Sequence, residues 1–315
     1  MRHPRCHVNA LAGLVAIAAL GIFLMPTPLL GRQGSANTAS ALKGAIDIHL
    51  HSLPDDRPRA LDAIEAARQA RERGMRAIVV KNHYESTAGL AFLVRRLVPD
   101  IEVFGGIDLN LTVGGINPAA VEHMTRVSGG WGRVVWMPTF DAENQVRYSK
   151  ESRPLVVVAR NAVLLPEVKQ VIALIAKHGL VLATGHSAPA EALSMLREAR
   201  DVGVRHMVVT HAMIPPVMMS VAQMREAAML GAFIEFVSAW RDGSPDEARI
   251  TELAAAIRAV GPASVILSSD LGQAGNPLPP DGFGDFLARL RGKGFTDQEL
   301  NSMSKHNPAR LLGLP

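Results

Sequence analysis

Five of the eleven histidines in this 315-residue chain stand at the ends of apolar runs rich in valine and isoleucine. The first run ends in Asp47-Ile48-His49-Leu50-His51. Alternate residues of a strand face the same side, so Asp47, His49 and His51 are expected to point the same way. Two imidazoles about 7 Å apart along one strand can bind one metal ion. The first run therefore offers a pair of metal ligands.

The remaining strand-end groups follow later runs along the chain, and they are His83, His186, His211 and Asp270. A single histidine at a strand end is more often a structural residue than a ligand. Five histidines and an aspartate at the ends of five different strands are a different matter if those ends converge. Imidazole nitrogens with one carboxylate form a donor set that suits a divalent metal ion. The pattern favours a metal site over a merely polar pocket.

Eight short apolar runs, each followed by an amphipathic or turn-rich stretch, must position these side chains. They are Ala45–His51, Ala77–His83, Ile101–Asn110, Arg133–Phe140, Leu180–His186, His206–His211, Gly231–Phe236 and Val265–Asp270. Apolar strands that alternate with helices indicate a parallel sheet covered on both faces, and eight strands can close into an α/β fold of the TIM-like (β/α)8 barrel type. An open doubly wound sheet is the alternative, but no GxGxxG turn follows the first run. In a barrel, the carboxyl ends of the strands meet at one mouth.

One insertion is much longer than the other connections. Residues 141–166 follow the carboxyl end of the fourth strand and comprise a polar loop and a short apolar piece. A long loop at that end of a barrel is typical of an active-site lid. We therefore expect a single barrel domain over residues 42–315, with 141–166 as a lid-like insertion.

The His-x-His of the first strand, the single histidines of the fifth and sixth strands and the aspartate of the eighth resemble the amidohydrolase superfamily of metal-dependent hydrolases. The ending Asn307–Leu314 is similar to the C-terminal helix of that superfamily. The resemblance is to an uncharacterised branch, so it implies a reaction class and no substrate. It also implies that His49, His51 and Asp270 hold one metal ion and that His186 and His211 hold a second.

The sequence departs from the superfamily pattern in two places. Binuclear relatives bridge their metal ions with a carboxylated lysine or a glutamate on strand 4, whereas this strand has neither; Asp141 and Glu143 just beyond it are candidate substitutes. His83 on strand 2 is similar to a motif of the polymerase-and-histidinol-phosphatase phosphoesterases, which also begin with His-x-His. The expected number of metal ions is therefore one, two or three.

Lys81 precedes His83 by two residues and is expected to share its inward direction. Three roles are open for it: a carboxylated bridge between metal ions, a binding group for an anionic substrate, or an ion-pair partner of Asp47 or Glu235. Asp47 lies deeper in its strand and could orient a histidine from behind.

The chemistry expected of this site is hydrolysis of a C–O, C–N or P–O bond of a small molecule. A metal-bound water has a pKa near ~7 in zinc enzymes, and the metal polarises the bond under attack. Asp270 is the expected general base, with His83 or an arginine side chain stabilising the negative charge that develops on the substrate. Zinc is the first expectation, with Mn2+, Fe2+ or Ni2+ as other candidates. A three-metal phosphoesterase and a catalytically inactive metal-binding barrel are the alternatives.

Residues 1–41 have the pattern of an export signal, with Arg2, His3, Arg5 and His7 before an uncharged apolar stretch and Ala39-Ser40-Ala41 as a cleavage site. An uncleaved N-terminal anchor is the alternative, and it would attach the protein to a membrane. The single cysteine excludes a disulfide framework and a thiolate zinc cluster, and its position in the leader suits a periplasmic or secreted product.

The charge of the rest of the chain is balanced, with 30 basic and 29 acidic residues over 42–315. Aromatic residues make up only 4% of the sequence. Without a basic block or an aromatic stacking surface, a nucleic-acid partner is not expected. The sequence gives no prediction of the oligomeric state.

Overall fold

A computed structural model describes residues 41–238, 240–241 and 244–315 of the chain. The predicted signal segment lies outside the described residues except for Ala41. No helix in the described part of the chain is long and apolar enough to cross a membrane.

Eight parallel strands form one sheet in chain order, and all eight runs predicted from the sequence are among them. The strands are β1 Ile46–His51, β2 Ala77–Lys81, β3 Glu102–Asp108, β4 Gly132–Trp136, β5 Val181–Ala183, β6 His206–Val209, β7 Phe233–Val237 and β8 Val265–Ser268. Several polar groups predicted at the strand ends lie just beyond the last strand residue. They therefore belong to the loops at the mouth, which is where a barrel places its functional side chains.

The barrel is closed by the chain that follows β8. The backbone N–H of Asp270 donates to the carbonyl of His49 over 2.9 Å, and the N–H of His51 donates to the carbonyl of Leu271 over 2.8 Å. This pairing joins the last strand to the first and confirms the (β/α)8 barrel. It also places Asp270 directly beside the His-x-His of β1.

Helices surround the strands and bury their apolar faces on the sheet. They are α1 Ala63–Glu72, α2 Ala88–Leu97, α3 Pro118–Arg126, α4 Glu143–Tyr148, α5 Pro166–His178, α6 Pro189–Asp201, α7 Val221–Met229, α8 Glu247–Val260, α9 Pro279–Gly292, α10 Asp297–Asn301 and α11 Asn307–Leu312. A capping box fixes the start of α1. The Asp62 side chain accepts the backbone N–H of Glu65, and the Glu65 side chain accepts the backbone N–H of Asp62. The C-terminal α11 packs against the inner cluster of barrel residues.

A β-bulge in β1 corrects the prediction for Asp47. Asp47 pairs with Ile78 and Leu50 pairs with Val80, so two residues of β1 stand opposite one of β2. Ile46 and Ile48 belong to the inner barrel cluster, so Asp47 between them points away from the barrel axis. The bulge reverses the alternation after Ile48 and turns His49 and His51 towards the mouth. Asp47 therefore does not face the site; its carboxylate accepts the backbone N–H groups of His49 and Ser269.

Residues 141–166 fold into α4 and a two-stranded antiparallel pair formed by Ala159–Arg160 and Val163–Leu164. The side chain of Asn144 donates to the carbonyl oxygens of His186 and Pro216. The segment is thus fastened to the loops that follow β5 and β6. Whether it opens and closes as a lid stays a prediction.

Candidate metal centre

The strand-end histidines converge on a cavity of about 390 Å³ at the mouth of the barrel. The sequence-predicted residues His49, His51, Lys81, His83, His186, His211 and Asp270 all line it. They lie at or just beyond the ends of five different strands, so the fold and not the chain order brings them together. The distances between their side-chain atoms decide which of them could bind the same metal ion.

Three predicted ligands form a tight group. Nε2 of His49 lies 3.1 Å and Nε2 of His51 lies 3.2 Å from the same oxygen of Asp270. One ligand atom from each of these residues lies within 4.8 Å of the other two. The three side chains could hold one metal ion with little rearrangement.

His186 and His211 form a second pair, with their Nε2 atoms 3.1 Å apart. The side-chain oxygen Oε1 of Gln145 lies 2.8 Å from Nδ1 of His186. Because this oxygen can only accept, Nδ1 carries the proton and donates the hydrogen bond. Nε2 of His186 therefore presents a lone pair to the cavity. A metal ion is the natural partner of such a lone pair.

Glu235 supports both groups from below the cavity. Its carboxylate lies 3.2 Å from Nδ1 of His49 and accepts the backbone N–H of His211 over 2.8 Å. A carboxylate on Nδ1 fixes the ring of His49 with Nε2 towards the cavity. Glu235 thus positions one histidine of each pair, and it does not pair with Lys81.

The electrostatics of the cavity favour neutral imidazoles at several positions. Burial lowers the pKa of His51 to about 3 and that of His211 to about 4. Burial, followed by the neighbouring charge of His211, places the pKa of His186 well below its usual value. Burial is the largest single influence on Asp270 and raises its pKa, but His49, His51 and His211 together place that pKa well below its usual value, so the carboxyl group is ionised. Neutral imidazoles and an ionised carboxylate are the forms that bind metal.

Two of the predicted ligands occupy unusual backbone conformations. His211 has a φ of 25° and Asp270 a φ of 52°, both in the left-handed region. Such conformations cost of order 1–3 kcal/mol outside glycine and concentrate at functional sites. In both cases the residue is the second after the last residue of its strand, and its side chain lines the cavity.

Lys81 is fully buried beside the first group. Its Nζ lies 3.1 Å from Nε2 of His49 and 3.6 Å from Oδ2 of Asp108. The carboxylate partner of Lys81 is therefore Asp108 on β3, and the predicted pairing with Asp47 or Glu235 is wrong. Burial raises the pKa of Asp108 to about 6, although the positive charge of Lys81 opposes the rise.

His83 is held by a chain of hydrogen bonds. The hydroxyl of Thr139 donates to Asp108 over 3.0 Å and accepts from the side-chain amide of Asn110 over 2.7 Å. Nδ1 of His83 lies 2.9 Å from the same hydroxyl oxygen and 3.2 Å from Asp108. Since both neighbours accept, Nδ1 carries the proton of the neutral ring and Nε2 is left with a lone pair.

The two substitutes considered for the bridging ligand of strand 4 do not reach the site. Asp141 binds Arg153 and the backbone N–H of Leu111, and Glu143 pairs with Arg147 on the surface. Thr139 follows β4 instead and belongs to the network around His83.

Other residues that line the cavity were not predicted from the sequence. They are Arg57, Pro58, Arg59, Phe140, Gln145, Ile214, Pro215 and Gln273. Arg57 and Arg59 lie in the loop that follows β1, and the rule that mouth loops carry functional residues could have marked that loop. Arg147, Tyr148 and Arg153 of the insertion are not among the residues that line the cavity.

A protein family described as a family of unknown function, DUF6282, matches residues 44–235, which is more than half of the sequence. The chain belongs to this family. The matched part of the DUF6282 chain contains β1 to β6 and Glu235 on β7, and therefore every candidate ligand except Asp270. No curated protein matches the sequence.

Solved structures resemble this DUF6282 protein in fold. An amidohydrolase from Pseudomonas aeruginosa has a TM-score of 0.65 at 13% identity and covers 89% of this chain and 98% of its own. A zinc-bound amidohydrolase from Burkholderia multivorans has a TM-score of 0.56 at 16% identity, with 86% and 99% covered. An organophosphorus hydrolase from Deinococcus radiodurans has a TM-score of 0.56 at 18% identity, with 87% and 94% covered. The resemblance to the amidohydrolase superfamily is thus confirmed at the level of the fold.

Proposed function

We propose that this protein is an exported, metal-dependent hydrolase of the amidohydrolase type that acts on a small molecule. The observation that carries the proposal is the convergence of His49, His51 and Asp270 on one point, with the pair of His186 and His211 facing the same cavity. Imidazole and carboxylate donors suit zinc first, and Mn2+, Fe2+ or Ni2+ as alternatives. The zinc-bound structural neighbour and the named hydrolases among the neighbours support this reaction class.

A bound divalent ion would make water nucleophilic near neutral pH and polarise the bond under attack. The carboxylate of Asp270 is placed to take a proton from the attacking water and to return it to the leaving group. The bond cleaved is a C–O, C–N or P–O bond. The ammonium group of Lys81, buried at the cavity wall, is the donor that can stabilise negative charge developing on the substrate.

His83 takes a different role from the one expected from its position in the sequence. Thr139 and Asp108 hold the proton on Nδ1, so neutral His83 cannot donate from Nε2 to an oxyanion. We assign His83 as a proton acceptor or a further metal ligand.

The second candidate function is a phosphoesterase with three metal ions. The specific observation in its favour is the free Nε2 of His83, whose ring stacks on that of His51 with centroids 4.9 Å apart. Metal content separates the candidates, because the first requires one or two ions and the phosphoesterase requires three.

The test combines metal analysis of the purified protein with the Asp270→Asn variant. Asparagine tolerates the left-handed backbone of this position, so the substitution removes the charge while it keeps the local conformation. We expect one or two equivalents of metal, and a fall of at least about 100-fold in kcat on an ester, lactone, amide or phosphoester that the wild type cleaves. Full activity of the variant would contradict the role of Asp270. Bound metal without turnover on any bond class would favour the inactive barrel.

A further inference from the structure

One cation at the rim of the cavity is not neutralised by a buried acid. Among the described residues that line the cavity, the charged side chains outside the histidines are Arg57, Arg59, Lys81 and Asp270. Arg59 pairs at 2.7 Å with Asp55, whose side chain is fully buried, and Lys81 faces Asp108. The nearest carboxylate to Arg57 is that of Asp56 at 3.5 Å, which is itself 57% exposed. Arg57 is therefore paired only with an exposed acid, whereas Arg59 and Lys81 face buried carboxylates.

Aromatic rings hold the guanidinium of Arg57 in place. Its central carbon lies 4.2 Å from the ring centroid of Phe140, and the group also donates to the hydroxyl of Tyr84. Phe140 also contacts the candidate metal centre, because the centroid of its ring lies 4.1 Å from that of His83. Arg57 is thus one aromatic ring away from the candidate catalytic groups, and its remaining N–H groups are available to a ligand.

We propose that Arg57 is a specificity-determining residue that binds a second, non-reacting carboxylate of the substrate. The substrate class is then a small ester, lactone or amide that carries a free carboxylate a few bonds from the bond that is cleaved. A planar guanidinium matches a planar carboxylate and remains charged at every working pH. The amides that line the same cavity are already engaged, since Gln145 binds His186 and Gln273 donates to the backbone of Asp270. Arg57 is therefore the cavity-lining group that can distinguish a negatively charged substrate from a neutral one.

The binding test compares glutarate with pentanoate, which has the same chain length and one carboxylate fewer. Isothermal titration of the zinc-loaded protein should show glutarate binding at least about tenfold more tightly, because a charge-assisted hydrogen bond contributes about this much. The preference should vanish in Arg57→Gln and be partly kept in Arg57→Lys. Arg126→Gln, which changes an exposed arginine on α3, is the matched control and should retain it. An equal affinity for both acids in the wild type, or a preference that survives in Arg57→Gln, would overturn the proposal.

The kinetic test rests on the proposed hydrolase function. It compares mono-4-nitrophenyl glutarate with 4-nitrophenyl pentanoate, and Arg57→Gln should lower kcat/KM for the anionic ester alone, by about tenfold. A uniform loss on both esters, with an unchanged thermal unfolding midpoint, would refute a role in charge selection. Failure of the wild type to cleave either ester counts against the hydrolase proposal, whereas the titration decides the role of Arg57 independently.

Discussion

Glu235 shows how one buried carboxylate can organise two parts of a site. It faces Nδ1 of His49 and the backbone N–H of His211, although these residues follow different strands. Full burial makes the charge costly unless it is matched by hydrogen bonds and nearby positive charge. The cost is offset because both neighbours donate to it. Glu235 therefore acts on the metal through the residues it positions.

This arrangement predicts that Glu235→Gln weakens metal binding while the fold is kept. The amide carries no negative charge, and its NH2 group replaces one of the two carboxylate oxygens that lie near Nδ1 of His49, so it holds the Nδ1–H of His49 less strongly. We expect the metal affinity to fall about 10–100-fold, as for other groups that orient ligating histidines. Competition with a chromogenic chelator measures the change, and Glu252→Gln on the exposed face of α8 serves as the control. An unchanged affinity would show that Glu235 does not position the ligands.

At the scale of elements, the junction of β8 with β1 determines which side chains form the first group of candidate metal ligands. Asp270 lies beside His49 and His51 because the backbone after β8 forms hydrogen bonds with the end of β1. Gly272 permits this approach: it has a φ of 122°, and a Cβ atom built there would lie 1.8 Å from the carbonyl oxygen of His51. Only glycine combines this conformation with the absence of a side chain.

Gly272→Ala is therefore expected to lower the free energy of unfolding by more than about 2 kcal/mol, through steric overlap and backbone strain. Gly89→Ala in α2 is the matched control, because a Cβ atom there meets nothing within 4 Å and alanine favours the helix. Chemical denaturation of both variants measures the difference. Similar stabilities would indicate that the junction relaxes freely and does not depend on this glycine.

At the scale of the whole molecule, residues 1–41 and the rest of the chain have different charge properties. The three basic residues of positions 1–41 account for most of the net charge of +4, whereas the barrel region is nearly neutral. The sole cysteine, Cys6, also lies within residues 1–41. A mature barrel without cysteine suits an oxidising compartment.

We predict that the exported protein begins after Ala41. Mass spectrometry of the protein recovered from the periplasm or the medium should give a mature N-terminus near Leu42, consistent with a small-x-small cleavage site. An intact Met1 on soluble cytoplasmic protein would contradict export, and an intact Met1 on membrane-bound protein would support the anchor.

The sequence by itself determined the eight strands, the helical stretches between them and the strand ends that carry the candidate ligands, because buried parallel strands are mostly apolar runs and the polar residues cluster towards their carboxyl ends. The tertiary structure determined features that the spacing of apolar residues cannot predict, namely the direction of individual side chains and their contacts with distant loops. The bulge in β1 separates Asp47 from His49 and His51, since one extra residue reverses the alternation. Hydrogen bonds that His186 and His83 donate to Gln145 and Thr139, which are distant along the chain, fix which imidazole nitrogens face the cavity. Arg57 is held in place by Phe140 and Tyr84, which belong to other loops.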